Sequence, residues 1–146
     1  LTTEDGTPVR PSDLDVGGIV TVWPEGLERK EESSTLLIKV PVDQFKARKG
    51  RESWVVEGNV AYSKVCTHVG CPVGLYREST HELLCPCHQS TFDVLDGARA
   101  VFGPAARSLP QLPLMVDSEG YLAAQSDYRE PVGPGFWNRG RKKVEA

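Results

Sequence analysis

Apolar residues in this chain come in short runs broken by turn residues, and no run repeats at the 3.6-residue spacing of a helix. Residues 19–23, 35–40, 53–57 and 59–64 read as strands. Each is short, rich in Val, Ile, Leu or aromatics, and bounded by Gly, Pro or charge. Pro24-Glu25-Gly26 and Lys49-Gly50 mark turns between them. Residues 75–76 and 82–84 predict two further short strands. Residues 112–116 and 121–124, separated by Asp117-Ser118-Glu119-Gly120, predict the clearest hairpin of the sequence. One helical turn is expected across 42–48, and residues 1–18, with Asp5-Gly6, Arg10-Pro11 and Gly17-Gly18, read as an irregular lead-in. The pattern predicts a loop-rich β protein with little helix.

A chain of 146 residues fits one domain with a single modest core. A net charge of −3 gives no field strong enough to argue for a nucleic-acid partner. The longest apolar runs, such as Leu36-Leu37-Ile38 and Trp54-Val55-Val56, are far short of a membrane span. The sequence begins at Leu1 rather than Met, and we expect a processed or excised fragment with a membrane anchor upstream. Residues 131–146 differ from the rest. A Pro/Gly-rich stretch leads to Phe136-Trp137 and then to Arg139, Arg141, Lys142 and Lys143. A strap with a solvated tail is the ordinary interpretation, and contact with anionic lipid or a partner subunit the sharper one.

The chemistry concentrates in two places. Cys66-Thr-His68-Val-Gly-Cys71 and Cys85-Pro-Cys87-His88-Gln-Ser90 hold the chain's four cysteines and two of its three histidines. Each segment offers a Cys and a His at ligand spacing, Cys-x-His in one and Cys-x-x-His in the other. Gly70, Pro72, Gly74 and Pro86 let the backbone turn sharply enough for such ligands to converge on one site. Two thiolates with two imidazoles suit an asymmetric 2Fe–2S centre, in which two His replace two Cys on one iron. A Cys2His2 zinc site competes, although zinc fingers usually pair Cys with Cys and His with His. Two disulfides with incidental histidines also compete; the Cys-x-x-Cys of a redox thiol pair is absent. His81 has no partner at ligand spacing and is expected at the surface.

The two segments match C-T-H-x-G-C and C-P-C-H-x-S at every defined position. In this they resemble the Rieske iron–sulfur subunit of cytochrome bc-type quinol–cytochrome c reductases. The longer run from Cys71 through Leu114 is similar to the actinobacterial menaquinol type. The resemblance covers roughly residues 53–140 and implies a Rieske fold: an all-β antiparallel base, about 19–64 and 108–130, carrying an inserted cluster-binding subdomain at 65–107. It implies a 2Fe–2S cluster with Cys66 and Cys85 on one iron and His68 and His88 on the other. It further implies a disulfide between Cys71 and Cys87, closing a loop of about 17 residues and contributing roughly 3 kcal/mol. Such a bridge needs an oxidising compartment, which places the head on the extracytoplasmic side of the plasma membrane. Gly103-Pro104-Ala105-Ala106 looks like the family's proline loop, with Ala106 where a second Pro is common.

The resemblance also implies the activity. Quinol, menaquinol in the actinobacterial type, would pass an electron and a proton to the site, with His88 in direct contact and His68 beside it. The reduced head would then serve a c-type cytochrome, and the quinol pocket would be shared with a cytochrome b subunit. Ser90 would donate to a bridging sulfide. Two positions depart from the family. Phe92 stands where a tyrosine often donates to a ligating sulfur, and Val69 stands where a leucine often shields the cluster. A soluble Rieske electron carrier and a small subunit of a molybdenum oxidase are the alternative functions.

Overall fold

Four successive side chains of one five-residue strand, Thr35 to Ile38, are buried, and this fixes the layering. A strand apolar on both faces has to be covered on both faces. The computed structural model describes residues 1–3, 6–24, 33–46, 51–65, 73, 75–77, 79–85, 90–102, 108–126 and 128. That buried strand is β2 (Thr35–Lys39). It lies between β1 (Ile19–Val22) and β3 (Asn59–Ser63), and β8 (Gln111–Leu112) pairs with the far side of β3. All the pairings are antiparallel, with Ile38 opposite both Ile19 and Val60.

Leu36 and Ile38 face one core with Val60 and Tyr62, whereas Leu37 faces a second core with Ala61 and Leu112. The two-residue period of a strand sends neighbours to opposite sides in this way. The second core is closed by Leu1, Val9, and a hairpin of β9 (Leu114–Val116) and β10 (Leu122–Ala124) through Leu114 and Leu122. The first core is closed by a separate four-stranded sheet, in the order β4 (Leu75–Arg77), β5 (Glu82–Leu84), β6 (Thr91–Asp93) and β7 (Arg99–Phe102). Leu83 and Phe92 come from that sheet, and both are fully buried. The Tyr62 hydroxyl crosses the same core and donates to the Val94 carbonyl at 2.8 Å. Each fully buried side chain of this size stabilises the fold by about 1.5–3 kcal/mol.

The all-β expectation holds, and no α-helix occurs among the described residues. Two local expectations fail. Residues 53–57 do not form a strand: Glu52–Trp54 is a 3-10 turn, and the Arg51 guanidinium lies 4.5 Å from the centre of the Trp54 ring. Only the Val56–Asn59 bridge follows, closed by Glu57 and Gly58, both at positive φ. Two successive positive-φ residues are what a tight hairpin connection of this hand requires. The expected strand at 112–116 is two strands, because Pro113 offers no N–H to a ladder. The described part of 42–48 is a turn in which the Gln44 N–H donates to Pro41 and the Phe45 N–H to Val42. The expected strap at 131–146 lies outside the described residues.

Candidate metal centre

The second sheet explains where the motif segments sit. Leu75 pairs with Leu84, Leu84 with Thr91, and Thr91 with Phe102, so these four residues form one row across the sheet. The row lies at the start of β4, the end of β5, the start of β6 and the end of β7. Segments 66–72, 86–89 and 103–107 are therefore all attached at this same end of the sheet. Hydrogen bonds tie the attachment points. The Val73 N–H donates to the Lys64 carbonyl at 2.7 Å, closing the base of the first segment. The Cys85 N–H donates to the Ser90 carbonyl at 2.8 Å, closing the base of the second. Sequence positions far apart are thereby brought to one edge.

Of the four candidate ligands, Cys85 is among the described residues; Cys66, His68 and His88 lie outside them. So do Cys71, Cys87, Val69, Gly103 and Pro104. Cys85 carries a free thiol that is 1% exposed, and it belongs to the core that contains Phe92 and Leu83. Beside it opens a cavity of about 760 Å³ bordered by Leu84, Thr91, Val101 and Phe102. Ser90 is fully buried one position beyond the second segment. Phe92 is fully buried too, and its ring has no hydrogen-bond donor.

These features fit a bound cluster. A thiol outside any disulfide, shielded from water and bordering open space, can serve as a thiolate ligand, and its dry surroundings suit a redox centre. His81 differs from expectation: it is half-buried, at φ 54°, with Nδ1 3.2 Å from the Tyr76 hydroxyl. The Val94 N–H donates to its carbonyl. Sequence spacing gave no sign of this role, because the partners come from tertiary pairing.

A buried thiol outside any disulfide where a hairpin leaves its sheet, taken with the Cys-x-His and Cys-x-x-His spacing of the sequence, fits one class: all-β proteins that hold an iron–sulfur cluster on paired loops. Comparison with known proteins narrows it. Residues 33–113 match the family described as the Rieske [2Fe-2S] domain. The chain is 52% identical over 141 residues to the cytochrome bc1 complex Rieske iron-sulfur subunit of Streptomyces lividans, covering 91% of this chain and 82% of that protein. It is 44% identical over 160 residues to the subunit of the same name in Mycobacterium tuberculosis strain CDC 1551, covering 94% of this chain. There it spans 37% of the relative's length, and 40% in the Streptomyces coelicolor subunit. Among solved structures, the soluble domain of Rieske protein II from Sulfolobus acidocaldarius aligns with a TM-score of 0.54 at 22% identity, covering 78% of this chain and 74% of that one. The ferredoxin of carbazole 1,9a-dioxygenase from Nocardioides aromaticivorans gives 0.52 at 19%, covering 88% and 98%. The structural likenesses speak to the fold alone.

The chain belongs to the Rieske family, and its cofactor is the 2Fe–2S cluster that defines that family.

Proposed function

We propose that this chain is the electron-transferring head of the iron–sulfur subunit of a cytochrome bc complex. In that role it passes electrons from quinol, menaquinol in the actinobacterial type, to a c-type cytochrome. The observation that carries this proposal is the 52% identity, over 91% of the chain, to a protein named as that subunit. The match of both motif segments supports it. As such a subunit the chain works within an oxidoreductase, beside a cytochrome b subunit. The full-length protein is then anchored in the membrane with this head on the extracytoplasmic side. No helix among the described residues is long and apolar enough to cross a membrane.

We assign Cys66 and Cys85 to one iron, His68 and His88 to the other, and Cys71 and Cys87 to a disulfide joining the loops. Residues 65–107 act as the inserted cluster-binding unit and residues 131–146 as a strap. When bound, the cluster supplies a one-electron acceptor whose histidine-ligated iron raises its potential. The protein's residues do the rest. With the oxidised cluster bound, His88 would lose its outer N–H proton and so could accept the hydrogen bond and proton of the quinol hydroxyl at that nitrogen. With His68 and His88 on the same iron, the two rings would titrate as a pair. Ser90 donates a hydrogen bond to the cluster sulfur. Val69, Gly103 and Pro104 keep water from it.

The test is His88→Ala in the assembled complex. Quinol oxidation is expected to fall to background; undiminished turnover with an altered cluster signal would remove His88 from the role. A second expectation concerns Phe92, a donor-less residue in the same core as Cys85. Phe92→Tyr adds a hydroxyl able to donate to a cysteine sulfur. A hydrogen bond to a charged group contributes roughly 1.5–3 kcal/mol, equivalent to ~60–130 mV for one electron. A potentiometric titration followed by EPR should show the midpoint rising by that amount. An unchanged or lower midpoint would show that the new hydroxyl does not reach the sulfur.

A further inference from the structure

Gln111 is 2% exposed, yet among the described residues neither its Oε1 nor its Nε2 has a hydrogen-bonding partner. It is a donor and an acceptor at once. In β8 it pairs directly with Tyr62 of β3, and paired residues of a sheet project to the same face. Tyr62 faces the core between the base sheet and the sheet that carries the motif segments, where Leu36 and Leu109 also lie. Gln111 thus places a carboxamide on the face lined by apolar groups and a phenol. The Tyr62 hydroxyl already donates to the Val94 carbonyl.

An amide sealed away from water without partners is strongly disfavoured, and nearly all buried polar atoms in folded proteins are satisfied by protein or by ordered water. Leucine or methionine would fill this position without that cost. The exception is a site that also holds water, where a side chain offering both donor and acceptor is favoured.

We propose that Gln111 holds at least one ordered internal water between the two sheets. The site is a hydration site at the start of β8, on the face of the core between the two sheets. The water donates to Oε1 or accepts from Nε2. Two packed sheets would then share a bridge that no apolar residue supplies.

The experiment is a crystal structure of the cluster-loaded chain at a resolution that shows ordered waters, beside that of Gln111→Met. The wild-type chain is expected to show a water within about 3 Å of the carboxamide, and Gln111→Met to lose it. Relaxation dispersion of water nuclei in solution should register the same loss of a long-lived internal water. A carboxamide bonded directly to a protein group with no water present would overturn the proposal. So would a water that persists in Gln111→Met, since other groups would then hold it.

Discussion

Serine in place of Cys85 is expected to yield a colourless chain that retains no 2Fe–2S cluster. The two side chains differ by one atom, but iron in these centres is held by thiolate sulfur, and a serine hydroxyl keeps its proton at neutral pH. The surroundings make the loss worse. Cys85 is buried in an apolar core with Leu83, Phe92 and Val73. A cysteine thiol behaves there as a small hydrophobe, whereas an unpaired hydroxyl costs about 1–3 kcal/mol. Ligand binding and folding are coupled in such sites, so the empty variant should also unfold at lower denaturant. Iron and acid-labile sulfide assays with the visible spectrum check this. Cluster content equal to the parent chain would mean that Cys85 is not a ligand.

Truncating Phe92 should have the largest effect on stability. Its ring is fully buried, paired across the sheet with Leu83 and placed between the two sheets. Phe→Ala at such a position typically costs 3–5 kcal/mol, because the cavity left behind only partly collapses. Whole domains are stable by about 5–15 kcal/mol, so the urea midpoint should fall by a large fraction. Phe102 supplies the control. It has the same side chain and lies in the neighbouring strand, but is 66% exposed. Phe102→Ala should change stability by only about 0.5 kcal/mol or less. Equal losses in the two variants would mean that Phe92 does not pack between the sheets.

The contrast between these two phenylalanines also shows what the sequence conveys. Strands β1, β2 and β3 were legible because their apolar runs are bounded by turn residues, and β5 was legible to the residue. Strands β6 and β7 were not. Thr91–Asp93 holds one large apolar residue, and Arg99–Phe102 leaves its two larger apolar side chains, Val101 and Phe102, exposed. Their identity comes from pairing with β5 and with each other, not from local pattern. The connection between them rests on Gly97 and Ala98, both at positive φ, which a spacing rule does not anticipate for alanine.

For the site, the order is reversed. The expected ligands rest on residue type, spacing and the family resemblance, and of the four only Cys85 falls among the described residues. The sequence could not tell that the row Leu75, Leu84, Thr91 and Phe102 attaches three segments at one edge. Nor did it mark Gln111 as buried, because a lone glutamine before a leucine reads as surface.

The most direct measurement is a pulsed EPR spectrum of the dithionite-reduced chain, with iron, sulfide and zinc counted on the same sample. Two irons and two sulfides per chain are expected, with hyperfine couplings from two histidine nitrogens on one iron. A colourless protein with one zinc, or a cluster showing no nitrogen coupling, would contradict the assignment of Cys66, His68, Cys85 and His88.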